Sequence, residues 1–151
     1  MNPRLTSTAA ALIVSIPVLL MACGGSEKKS SVLSTAGSDI KVTETEFAEV
    51  VDHSDAKAGT IKFTVTNRGE VEHEFVVFKT ELAPDALPAD PDDANKAAEE
   101  ADGIEPIDEL EGIEPGSTKE LVLDLSPGKY VFICNLPSHY KQGMRVGFTV
   151  N

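Results

Sequence analysis

Near the C-terminal end of the chain, a thiol, an imidazole and a thioether are carried on one short loop. The run is Cys134-Asn135-Leu136-Pro137-Ser138-His139-Tyr140-Lys141-Gln142-Gly143-Met144. It lies between two apolar stretches, Tyr130 to Ile133 and Val146 to Val150. Both read as strands, being short and rich in Val, Ile, Phe and Tyr, and Pro127-Gly128 sets a turn before the first. A loop joining neighbouring strands brings its own ends together, so Cys134, His139 and Met144 can converge on one point. His73, far upstream, supplies a second imidazole. A thiolate, two imidazoles and a weak axial thioether are the trigonal donor set of a mononuclear copper site. Soft sulfur suits Cu(I), imidazole suits both oxidation states, and a long axial thioether bond lets one geometry serve both. Singly, each residue says little: a lone Cys in a strand is usually an inert buried hydrophobe, and a His after Pro-Ser is usually solvated. The argument rests on the four together.

The elements that must position these residues read as strands. Thr60 to Thr66 alternates cleanly, with Ile61, Phe63 and Val65 on one face and Lys62, Thr64 and Thr66 on the other. One face is core and one wet, as in an antiparallel sandwich. Asn67-Arg68-Gly69 is a turn, and Val71 to Lys79 is the next strand, on which His73 shares a face with Val71, Phe75 and Val77. An imidazole among inward-facing apolar residues needs a partner for its ring nitrogens; a backbone carbonyl or a metal would meet that need. Asp39 to Val51 holds one or two strands, and His53 follows in a polar turn, where it reads as solvated. Ser117 to Leu125 is a strand with Leu121, Leu123 and Leu125 alternating against Val122 and Asp124. Tyr130, Phe132 and Cys134 then share a face, and Tyr130 is placed for a tyrosine-corner bond.

The ligand loop, with the spacing C-x4-H-x4-M, is preceded by Pro-Gly-Lys-Tyr-Val-Phe-Ile and followed by Gly-Phe-Thr-Val. In this it resembles the cupredoxin family of type 1 blue copper proteins, of the plastocyanin, amicyanin and azurin type. The resemblance covers about residues 38–151, and Asn67-x-Gly69-x3-His73 resembles the family's first-ligand region. It implies a Greek-key β-sandwich and one copper per chain, with His73, Cys134 and His139 equatorial and Met144 axial. It also implies that His139, ringed by Leu136, Pro137 and Gly143, is the exposed edge through which electrons pass. Glu74 is a departure, because many family members carry there an Asn that braces the ligand loop.

The N-terminal region reads as an export signal. Arg4 is the only charge in residues 1–22, and an apolar run from Ala9 to Ala22 is too short for a stable membrane anchor. It ends Leu20-Met21-Ala22-Cys23-Gly24-Gly25, which resembles a bacterial lipobox, in which a Cys, here Cys23, carries lipid. Several acyl chains on one residue anchor stably where one is marginal. With Cys23 lipidated, Cys134 is the only thiol left. A free thiol in an oxidising compartment is a liability unless something such as a metal occupies it. Residues 23–37 are polar and Gly/Ser-rich, a flexible tether.

About half of the 25 acidic residues fall in 81–114, against one base, Lys96. This segment reads as an insertion. Pro91 to Ala101 suits a short helix capped by Asp92 or Asp93. The spacing of Ile104, Ile107, Leu110 and Ile113 fits either a further helical turn or an extended flap on the sandwich. A formal net charge of −12 argues against nucleic acid as a partner. No phosphate-cradling Gly-rich loop is present. Three His are too few for multicopper oxidase or nitrite reductase chemistry, and Met is a poor zinc ligand.

The resulting expectation is an all-β Greek-key β-sandwich of about seven to eight strands with an acidic, partly helical insertion. Residues 1–22 are the signal, 23–37 the lipid-anchored tether, and 38–151 the cupredoxin domain with insertion 81–114. The expected function is electron transfer through a mononuclear type 1 copper; the alternative is a copper carrier or chaperone of the cell envelope without a redox role. The chain is expected to be no enzyme. It would be an exported monomer, held at the cell membrane by lipid and facing the periplasm or the exterior. Its redox partner would be a cationic cytochrome or a membrane oxidoreductase.

Overall fold

The computed structural model describes residues 37–151. The expected signal and most of the tether, including Cys23, lie outside the described residues. Among the described residues nine strands follow in chain order: β1 (Ser38–Thr45), β2 (Ala48–Val51), β3 (Asp55–Ala56), β4 (Gly59–Asn67), β5 (His73–Thr80), β6 (Ile104–Ile113), β7 (Thr118–Leu125), β8 (Gly128–Ile133) and β9 (Arg145–Val150). One short helix, α1 (His139–Gln142), precedes β9. The strands form two sheets, ordered β2-β1-β4-β7 and β3-β9-β8-β5-β6. Most neighbours are antiparallel, but β1 runs parallel to β4, and β3 parallel to β9. Among the described residues no helix is long and apolar enough to cross a membrane.

The alternation of the sequence carries through to the core. Ile61, Phe63 and Val65 on β4 and Leu121, Leu123 and Leu125 on β7 are buried, and the two strands pair Ile61 with Leu123 and Phe63 with Leu121. Phe63 lies at the centre, with the rings of Phe75, Phe132 and Phe148 at 5.6, 5.2 and 6.0 Å. Truncating such a residue to Ala typically costs about 3–5 kcal/mol. Tyr130 donates its hydroxyl to the Ser126 carbonyl at 2.8 Å, the expected tyrosine-corner bond.

The insertion departs from expectation. No helix forms in Pro91 to Ala101; that stretch is turns and bends, with one bridge between Ala89 and Ala97. Residues 104–113 are β6, an edge strand on β5. Ile107, Leu110 and Ile113 pack on the main core while Ile104 enters a second cluster, and the spacing of three among the first three accompanies two register shifts against β5, between His73 and Phe75 and between Val77 and Phe78. Each puts an extra residue into β6, as a bulge does, so a two-residue strand period becomes three. Bulges and outward charges also blunt an exposed sheet edge.

Candidate metal centre

His73 opens β5 and Cys134 follows the last residue of β8, so both sit at the same end of adjacent strands. The chain after Cys134 turns back through α1 to β9. Four backbone bonds close this turn. His139 N–H donates to the Leu136 carbonyl (2.9 Å), Gly143 N–H to Tyr140 (3.1 Å), Met144 N–H to His139 (3.1 Å) and Cys134 N–H to Met144 (3.2 Å). Gly143 has φ 126, and a Cβ there would stand 2.7 Å from the Phe47 carbonyl oxygen. Only glycine meets both demands.

Three of the four expected ligands converge through donor atoms. Nδ1 of His73 and Nδ1 of His139 are 3.3 Å apart, and the Cys134 sulfur lies 3.8 Å from the first and 3.2 Å from the second. Donors held in a plane at about 2.0–2.3 Å from one ion stand roughly 3.5–3.7 Å from one another. The triangle therefore fits a single first-row metal with both rings turned Nδ1-inward. Met144 is fully buried, with its peptide bonded to His139 and Cys134 as above. His73 and Cys134 are also fully buried, whereas His139 is only half-buried and is the one of the four that reaches solvent. His53 is exposed, paired with Asp52 at 3.2 Å, and takes no part.

The electrostatics favour a bound cation. Burial pushes the Cys134 thiol up to about 12, so a thiolate requires a compensating positive charge, which a metal supplies. Burial lowers both imidazoles, that of His73 with help from the neighbouring His139. Neutral rings with free nitrogens result, as metal ligation needs. The Glu74 backbone N–H points at the Cys134 sulfur at 3.4 Å.

Two contributors were not evident from the sequence. Glu46, at the β1–β2 turn, accepts from the N–H groups of Glu70 (2.5 Å) and Val71 (3.1 Å). It thereby holds the loop leading into His73. Its Oε1 stands 3.9 Å from His73 Nε2, which has no hydrogen-bond partner among the described residues. A carboxylate behind a ligating imidazole is a recurrent device for orienting the ring. Buried Asn67 donates to the carbonyls of Val71 and Ile113, both at 2.7 Å, and accepts from Gly69 N–H at 2.8 Å. The Asn-Arg-Gly turn signal marked the place but not these bonds.

No protein-family model matches the chain, and no curated protein sequence does. Solved structures do. Dithionite-reduced auracyanin from the photosynthetic bacterium Roseiflexus castenholzii is 25% identical, with 76% of this chain and 98% of that one covered and a TM-score of 0.53. Auracyanin A, described as a "blue" copper protein from Chloroflexus aurantiacus, is 25% identical, with 75% and 98% covered and a TM-score of 0.52. Rusticyanin from Thiobacillus ferrooxidans is 18% identical, with 76% and 79% covered and a TM-score of 0.53, a likeness of fold. The chain has the cupredoxin fold and resembles these copper proteins in architecture.

Proposed function

We propose that this chain carries single electrons between partner proteins at one type 1 copper and is not an enzyme. The ligands would be His73 and His139 through Nδ1, Cys134 through sulfur, and Met144 through its thioether. The observation that carries the reading is the convergence of the three inward donor atoms, two of them wholly enclosed. A bound copper supplies a one-electron couple between its cupric and cuprous states. The residues do the rest. Cys134 and His73 are fully buried in a packed interior that limits how far ligands can shift. The Glu74 N–H stabilises negative charge on the Cys134 sulfur. His139, the half-buried member, offers the path to solvent and hence to a partner. Nothing in the site favours the carrier alternative.

Two further parts of the reading concern surroundings. The acidic stretch 81–114 adjoins the ligand loop through hydrogen bonds to Asn135, Ser138 and Tyr140, which suits a basic partner such as a cationic cytochrome. The Leu20-Met21-Ala22-Cys23 sequence suits lipid attachment after export. The deciding experiment is a visible spectrum of copper-loaded protein, followed by voltammetry. An intense thiolate-to-Cu(II) band at one copper per chain, lost in Cys134→Ser and kept in His53→Ala, is expected with a reversible one-electron wave. A copper-loaded, oxidised wild type without colour would overturn the reading.

A further inference from the structure

The segment from Leu87 to Glu99 has no helix and, within itself, only one strand bridge, yet its contacts with the rest of the molecule are specific. It closes on itself through Ala98 N–H to the Pro88 carbonyl (2.8 Å) and Asp90 N–H to the Lys96 carbonyl (3.1 Å). Leu87 and Ala97 then pack with Val76, Phe78, Val131, Ile133 and Tyr140 in a second apolar cluster, separate from the main core.

Its polar contacts converge on the ligand loop. Asn135 is fully buried. Its Oδ1 accepts from Ala97 N–H at 2.7 Å, while its Nδ2 donates to the Ala97 carbonyl at 3.0 Å and to Glu99 Oε1 at 2.9 Å. The side-chain amide thus pairs with both sides of one residue, as a strand neighbour would. Ser138 N–H donates to the Asn95 carbonyl at 2.8 Å, and the Tyr140 hydroxyl accepts from Leu87 N–H at 3.0 Å. Asn135 directly follows Cys134, and Ser138 and Tyr140 flank His139. Ser138 is also held at φ 74, a left-handed conformation that a non-glycine residue keeps only under external restraint.

We propose that residues 87–99 form a brace that fixes the copper loop, with Asn135 as its positioning residue, so that Cys134 and His139 hold one geometry in both oxidation states. This rests on the copper reading above. A loop closed only by its own backbone bonds is free to relax when the charge at the site changes. Three tethers on the residues adjoining its two donors remove that freedom. Losing the Asn135 amide leaves the N–H and carbonyl of buried Ala97 unpaired, so the brace and the loop part together.

The test compares copper-loaded wild type with Asn135→Ala, Glu99→Ala and Glu99→Gln. Copper loss to a chelator, visible spectrum and electron self-exchange are measured. Asn135→Ala should hold copper about 10–100-fold less tightly, the usual effect of removing a group that orients a ligand, and lose it faster to the chelator, with an altered spectrum and slower self-exchange. Glu99→Ala should move the same way by less, and Glu99→Gln, which keeps the acceptor, should stay near wild type. Wild-type spectrum, exchange and copper retention in both Asn135→Ala and Glu99→Ala would overturn the proposal, whatever happens to melting temperature. Should Asn135→Ala not fold, the Glu99→Ala and Glu99→Gln pair decides alone, and identical behaviour overturns it. Amide hydrogen exchange on the metal-free chain separates this test from the copper reading. Faster exchange over 138–143 in the variants supports the brace even if the wild type proves colourless, and unchanged exchange there refutes it.

Discussion

Glu44 on β1 and Glu49 on β2 stand directly opposite each other in the strand ladder, and both side chains are buried in the sandwich. None of their four carboxylate oxygens has a hydrogen-bond partner among the described residues. Glu44 continues the inward series of Ile40 and Val42, so it occupies a position that would ordinarily be apolar. Burial raises its carboxyl to about 8, with the nearby Glu74 adding to the effect. Burial also lifts Glu49 well above the usual range, with Glu44 contributing. Burial and mutual repulsion therefore both oppose ionisation here, and the two carboxylates are not charged together at neutral pH.

Stability should follow from that. A carboxyl whose folded value is raised binds more protons in the native state than in the unfolded one between the two values, so stability falls as pH rises through that window. For Glu44 the window runs from 4.5 to about 8. The stabilisation is full below it and lost above it, on the order of a few kcal/mol. The urea midpoint of wild type should thus drop between pH 5 and pH 8.5. Glu44→Gln, which cannot ionise, should flatten the drop. The difference between the two curves removes the opposite contribution of His73 and His139, whose values are lowered. Parallel curves would show that Glu44 is already ionised in the fold.

Met144 offers a test of the axial position. The axial ligand and the polarity around the sulfur set the potential of such a site. Met144→Gln should keep copper bound and lower the potential, and Met144→Leu should raise it, as read by voltammetry. If neither moves the potential, Met144 is not axial, and Gln142, exposed at the end of α1, is the next residue to examine.

How much of this was legible beforehand divides along physical lines. The ligand loop was readable because its donors lie within eleven residues between two clear strands. His73 was readable because strand parity placed it with Phe75 and Val77, which are buried with it. Val71, assigned to the same face, is exposed and precedes β5. The helix expected near Ala97 failed because local propensity was outweighed by distant partners: the Asn135 amide takes the N–H and carbonyl of Ala97, and Pro88 and Asp90 take the neighbouring Ala98 N–H and Lys96 carbonyl. Glu44 and Glu49 were invisible for a similar reason, since a charged residue type on a strand reads as surface until its neighbours are known. The roles of Glu46 and Asn135 depend on contacts across 24 or more residues, which no local pattern encodes.

The N-terminal motif predicts how the protein is held. Leu20-Met21-Ala22-Cys23 should yield a mature, membrane-associated chain that begins at Cys23. Cys23→Ala should release it from membranes or block processing. Intact mass of the native protein checks this, and a mass equal to an unmodified chain would refute lipid attachment.

The acidic stretch predicts how a partner finds the site. Asp92, Asp93, Glu99 and Glu100 lie on either side of Asn95 and Ala97, the residues bonded to Ser138 and Asn135 of the ligand loop. Their field would therefore reach the face through which His139 meets solvent. Such a field speeds encounter with a basic protein, and it weakens as salt shortens the screening length to about 8 Å at physiological strength. Electron-transfer rates to a cationic cytochrome should accordingly fall with ionic strength. Asp92→Asn, Asp93→Asn, Glu99→Gln and Glu100→Gln together should flatten that dependence. These replacements preserve the acceptors that Asp93 offers to Asn95 N–H and Glu99 offers to Asn135, so the copper spectrum should not change. An identical salt slope in the mutant would mean that the stretch only solvates the surface, and that its attachment to the ligand loop serves position rather than steering.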